Sequence, residues 1–68
     1  MHLTVGLDRE EDGRWITEVL ELSGVLTYGK TREDAIARVQ ALALRVLADQ
    51  LEHGDQVPAM KDVFSIAA

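Results

Sequence analysis

KTREDAIARVQALALRVLADQLEHG, residues 30–54, is the stretch that decides the fold. Between Arg32 and His53 there is no Gly or Pro, and Ala, Leu and Arg dominate, all strong helix formers. Thr31 stands three residues ahead of Asp34, close to a capping box, and Glu33 and Asp34 put negative charge at the positive end of the helix dipole. His53-Gly54 supplies the stop signal, with Pro58 beyond it. The expected element is one helix over residues 32–53, about 33 Å long at 1.5 Å per residue. At about 100° per residue, Leu42, Val46, Val39, Ala43, Ile36, Leu47, Leu51 and Leu44 follow one another around an arc of roughly 200°. A helix lying on one sheet needs an apolar stripe of only about 100° or a little more. Leu44 and Leu51, with Ala37, Ala41 and Ala48 beside them, therefore form a surplus flank suited to a second helix. Opposite lies a narrow charged face where Asp34 and Arg38, and Arg45 and Asp49, have i,i+4 spacing.

Working outward, residues 1–7 alternate, with Leu3, Val5 and Leu7 opposed to His2, Thr4 and Gly6, as in a half-buried strand. The polar run Asp8 to Gly13 ends in Asp-Gly, a pair tolerant of the positive φ of hairpin loops. Arg14 to Val19 resumes the alternation as a second, antiparallel strand. Glu21-Leu22-Ser23-Gly24 breaks it, and Val25 to Tyr28, closed by Gly29, reads as a third. After the helix, a loop from Asp55 to Asp62 leads to a short apolar run, Val63 to Ala67, read as a last strand. The expectation is an α+β domain of order β-β-β-α-β: a three- to four-stranded, mainly antiparallel sheet with one long helix packed on one face.

A length of 68 residues leaves room for one core, so residues 1–68 are read as a single domain. Small domains usually need disulfides, a metal or oligomerisation. There is no cysteine, and His2 and His53 lie at opposite ends without ligand spacing, which leaves self-association, as a homodimer or homotetramer. No signal-peptide pattern or membrane-length apolar run is present, so the expected location is cytoplasmic, with no membrane partner. The net charge is −5, and without a basic patch direct nucleic-acid binding is not expected. In residues 1–29 six acids (Asp8, Glu10, Glu11, Asp12, Glu18, Glu21) face two bases (Arg9, Arg14), so a charged partner would be basic and meet this half.

Several patterns carry chemistry elsewhere. The hairpin acids with Glu18 have the composition of a Mg²⁺ site, but most sit in a turn rather than on rigid elements, and they miss the calcium-loop spacing. Gly24-Val25-Leu26-Thr27-Tyr28-Gly29-Lys30-Thr31 matches the Walker A pattern, yet its inner residues are β-forming and partly bulky where a phosphate cradle needs a loop of small ones. Ser23 and Ser65 lack a nucleophile turn, and the histidines have no carboxylate partner by spacing. No catalytic residue, metal ligand or cofactor is expected, and Trp15, Tyr28 and Phe64 are read as packing residues.

The ordered run Asp12-Gly13-Arg14-Trp15-Ile16-Thr17-Glu18-Val19, then Glu21-Leu22-Ser23-Gly24-Val25, Tyr28-Gly29-Lys30-Thr31 and Glu33-Asp34-Ala35 before a long Ala/Leu helix, resembles the HicB-like antitoxin family across nearly the whole chain. Leu20 and Ser23 stand where the family pattern has prolines, Asp34 where it has Glu, and Val57-Pro58 where it has Ile-Pro. The resemblance implies a reduced ribonuclease H-like fold, usually without nuclease activity, that binds and neutralises a small basic, HicA-like toxin that cleaves messenger RNA. Many members also carry a C-terminal DNA-binding segment, and none is expected in residues 1–68. The expectation is thus a protein-binding module, not an enzyme, with Glu10, Glu11, Asp12 and Glu18 toward the partner and Ala37, Ala41, Leu44, Ala48 and Leu51 at an oligomer interface. Two alternatives stand beside it: a solitary homo-oligomeric domain without a toxin, and a metal-dependent ribonuclease H-like nuclease.

Overall fold

The computed structural model describes residues 2–55, 57 and 63–67. It is an α+β fold: β1 (Val5–Arg9), β2 (Trp15–Val19) and β3 (Leu26–Gly29) form an antiparallel sheet of order β1-β2-β3, followed by one helix, α1 (Arg32–Glu52). Met1, Ala68 and most of the expected loop after the helix, Pro58 included, lie outside the described residues.

β1 begins later than its alternation suggests and runs two residues into the acidic stretch. Its ladder with β2 continues from Val5↔Val19 to Arg9↔Trp15, and the Arg9 guanidinium lies 5.5 Å from the Trp15 ring centre, a cation–π contact that holds the final pair together. The chain reverses over residues 10–14, where Glu10 N–H donates to Arg14 O at 2.7 Å and Gly13 takes a φ of 92°. Leu22 N–H donates to Val19 O at 3.1 Å where the second turn begins, and Gly24 closes it at a φ of 81°.

Strand periodicity divides the sheet into two unlike faces. Val5, Leu7, Trp15, Thr17, Val19 and Thr27 share the helix side, because Leu7 pairs with Thr17 and Thr17 with Thr27. Gly6, Asp8, Ile16, Glu18, Leu26 and Tyr28 share the other, which no element among the described residues covers.

α1 starts and stops as its sequence dictates. The Thr31 hydroxyl accepts the Asp34 amide at 3.0 Å, and the Asp34 carboxylate accepts the Lys30 amide at 3.4 Å, so the box closes one residue outside the cap. At the other end Asp55 N–H donates to Gln50 O at 3.0 Å and Gly54 N–H to Leu51 O at 3.1 Å, a Schellman motif that needs the left-handed φ of 77° at Gly54. The Asp34–Arg38 pair forms at 3.0 Å. The Arg45–Asp49 pair does not: Asp49 instead sits 3.4 Å from His53 Nδ1, and that nitrogen lies 2.7 Å from the Asp49 carbonyl.

The core lies between α1 and the β2–β3 half of the sheet. Ala35, Val39, Ala43 and Leu47 are buried from the helix against Val19 and Val25, with Leu3, Val5, Leu22, Leu42 and Val46 at its margin. Two contacts fix the start of the helix. The buried Thr17 hydroxyl donates to Ala35 O at 2.8 Å, and α1 passes so close over β3 that a Cβ on Gly29 would lie 2.5 Å from Ala35 N. α1 therefore packs on β3 and β2 and barely touches β1.

The expected last strand is a correction. Val63 lies in a turn, Phe64 to Ala67 adopt no strand, and all five residues are exposed. β-propensity measures fit to a paired, half-buried surface, and among the described residues no strand pairs with this run. Among the described residues the sheet has three strands.

Candidate functional site

The uncovered sheet face holds a shallow concavity of 420 Å³, whose lining includes Gly6, Asp8, Glu10, Ile16, Glu18 and Leu26. Its geometry follows from register. Glu18 pairs with Gly6 on one side and with Leu26 on the other, and the Glu18 stem leans over the bare glycine, its Cγ 3.2 Å from where a Cβ would stand and Leu20 Cδ2 3.1 Å from the same point. Asp8 pairs with Ile16, which places a second carboxylate diagonal to Glu18 across the same face. Glu10 closes the rim from the hairpin. Ile16 is half-buried and Leu26 exposed, giving an apolar floor with an acidic rim and no basic side chain among the lining residues. At the far end of the face the Arg14 guanidinium stacks 4.8 Å from the Tyr28 ring centre.

The hairpin acids do not act as one group. Glu10 and Glu18 come together, joined by Asp8, whereas Glu11 is exposed and does not line the concavity. Asp12 is engaged locally, accepting the Arg14 amide at 3.0 Å and pairing with Arg14 Nε at 2.7 Å. The amide bond from Arg14, with the guanidinium beside it, holds the Asp12 carboxyl below its ordinary range.

Glu21 does structural work that local spacing gave no reason to expect. Its carboxylate accepts the Thr4 amide at 2.7 Å, pinning the start of β1 to the turn after β2, and this bond lowers its pKa. The two residues are seventeen apart, so only the folded register brings them together. The apolar floor was legible in principle, since Ile16, Leu26 and Tyr28 are the alternate set to the residues facing the helix.

Among the described residues no three histidine, cysteine or carboxylate groups converge as metal ligands would. The Walker-like run is strand and cap: Leu26 to Gly29 are paired with β2, and Thr31 caps α1. His2 is exposed, and His53 is the exposed helix C-cap. No helix among the described residues is long and apolar enough to cross a membrane. On α1, Ala37, Ala41, Leu44, Ala48 and Leu51 are all exposed, Leu44 at 60% and Leu51 at 45%, and fall within roughly 80° of one another on the helical wheel.

No family model matches this sequence. No solved structure matches it either. Among curated proteins, UPF0150 protein Ta0767 of Thermoplasma acidophilum is 32% identical over 59 residues, spanning 85% of this chain and 84% of that protein. An alignment of that identity, running through nearly all of both chains, shows that this chain belongs to the UPF0150 family.

Proposed function

We propose that this chain is a HicB-like antitoxin-type module that binds and neutralises a small basic, HicA-like toxin that cleaves messenger RNA, without chemistry of its own. The observation that carries the reading is the open sheet face, where an Ile16–Leu26 floor is rimmed by Asp8, Glu10 and Glu18 with no cation among the lining residues. A floor and rim of this kind fit a lysine- or arginine-bearing surface, whose aliphatic stems lie on apolar groups while the charged heads reach carboxylates. The motif order that resembles the HicB-like family supplies the partner's class. Glu10 and Glu18 then belong to the contact, and Glu11 and Asp12 contribute only to the field that steers a basic partner inward.

The reading expects a small basic protein encoded beside this chain's own reading frame, and calorimetric titration with that protein is its test. Tight binding that weakens with added salt is expected, falling about tenfold or more in Glu18→Lys and in Leu26→Asp. Binding indifferent to both substitutions overturns the assignment of the face. Mg²⁺-dependent RNA cleavage lost in Glu18→Gln overturns the function in favour of a nuclease. The exposed Leu44–Leu51 stripe favours a second reading, a homo-oligomer without a toxin, for which no neighbouring small basic protein would bind.

A further inference from the structure

α1 sits off-centre on its sheet. It covers β2 and β3, leaving on the β1 side an apolar groove of 310 Å³ lined by Leu3, Val5, Val19, Gln40, Ala43 and Leu44. Leu7, on the same face of β1, is 36% exposed. Among the described residues β1 is also an edge strand, with no strand beside one row of its backbone hydrogen-bonding groups. Its lining runs from Leu3 and Val5 at the β1 edge to Gln40, Ala43 and Leu44 on the helix.

The same chain carries a segment with the complementary defect. Residues 63–67, Val-Phe-Ser-Ile-Ala, are uncharged, β-prone and exposed, with Phe64 at 75% and Ile66 at 94%. Their five residues equal the length of β1, about 17 Å. In extended form Phe64 and Ile66 fall on one face and Val63, Ser65 and Ala67 on the other. Laid along β1, that spacing sets two large apolar side chains into the groove and leaves the small ones outward.

We infer that residues 63–67 of a second copy fill this groove as a fourth strand beside β1, and that the exchange is reciprocal, giving a two-fold dimer. In the single copy the segment leaves its own groove open. Residues 1–68 contain no cysteine, so no disulfide within them adds to this small core. The surplus helix flank is continuous with the groove through Leu44, so a strand seated there also covers part of the Ala37–Leu51 stripe. An aromatic side chain buries about 150–250 Å², so two exchanged segments, with the grooves they cover, reach on the order of the 1,200 Å² at the lower end of stable interfaces. The groove lies on the helix side of the sheet and the acidic concavity on the opposite side, so this dimer leaves the face of the proposed function open.

Full-length chains labelled separately with ¹⁵N and ¹³C, mixed in denaturant and refolded, provide the test by isotope-filtered NMR. The expected result is contacts between Phe64 or Ile66 of one copy and Leu3, Val5 or Leu44 of the other, with a dimer in sedimentation equilibrium. Phe64→Asp and Ile66→Asp should each weaken the dimer about tenfold or more while the helical circular dichroism is kept. Contacts confined to one chain would show that each copy fills its own groove, which overturns the exchange. A dimer indifferent to both substitutions would put the interface on the bare helix stripe, and a monomer at hundreds of micromolar would remove it. None of these outcomes touches the titration on the opposite face.

Discussion

Gly29→Ala should destabilise this protein by about 2 kcal/mol, although it replaces glycine where its backbone freedom is not needed. Gly29 does not have a positive φ; the glycines that do are Gly13, Gly24 and Gly54. What Gly29 supplies is space. A Cβ there would lie 2.5 Å from Ala35 N, 2.7 Å from Ala35 Cα and 2.9 Å from Ala35 Cβ. Unstrained contacts of this kind lie near 3.5 to 4.0 Å, so the first turn of α1 must lift by about 1 Å. That motion stretches the Thr17 hydroxyl bond to Ala35 O, now 2.8 Å, and loosens the packing of Ala35 and Val39. Overpacking of this sort costs about 1–3 kcal/mol, and the lost bond adds about 1 more. Against this stands the roughly 0.4–1 kcal/mol that Gly→Ala gains by stiffening the unfolded chain. A domain of this size has only about 3–10 kcal/mol in total. In urea, with a slope of about 1 kcal/mol per molar, the midpoint should fall by about 2 M. Ala35→Gly in the same chain should recover little, because it removes the 2.9 Å contact and leaves the two backbone contacts in place. A midpoint unchanged or raised in Gly29→Ala would refute the reasoning, and so would full rescue by Ala35→Gly.

Thr17→Val keeps the shape of a fully buried side chain and deletes its bond to the helix, so a loss of about 1 kcal/mol is expected by chemical denaturation, with Thr17→Ser retaining the bond. Thr31→Ala removes the acceptor for the Asp34 amide and should cost about 1 kcal/mol, with faster hydrogen exchange confined to the first turn of α1. The carboxyls of Glu21 and Asp12 are held below their ordinary values, first by the backbone amides of Thr4 and Arg14. Their contribution is therefore present above the unfolded-state values of about 4 and lost as pH falls through the lower folded-state values. Glu21→Gln should flatten that acid limb in urea midpoints taken from neutral pH downward, and an unaltered limb would contradict the Thr4 bond.

The local elements were written in short-range signals. Helix boundaries follow from Thr31, Asp34 and Gly54, because cap and stop are satisfied within a turn of chain. Period-two alternation located β2 and β3 nearly to the residue and set Leu3, Val5 and Leu7 on one side of β1, since sidedness within a strand is fixed by pleat alone; which faces of neighbouring strands coincide was decided by register. The surplus apolar arc of α1 likewise marked Leu44 and Leu51 before any packing was known. What the tertiary structure alone decided are the contacts between residues far apart in the chain. Glu21 reaching Thr4, Thr17 reaching Ala35 and Gly29 making room for Ala35 leave no periodic trace, because each depends on how the helix crosses the sheet. The acids were visible as a group, but register divided them, sending Asp8, Glu10 and Glu18 to one concavity and tying Asp12 to its own turn. Residues 63–67 show the same limit from the other side: their composition favours a strand, but a strand exists only where an edge is there to pair with it, and composition cannot supply the edge.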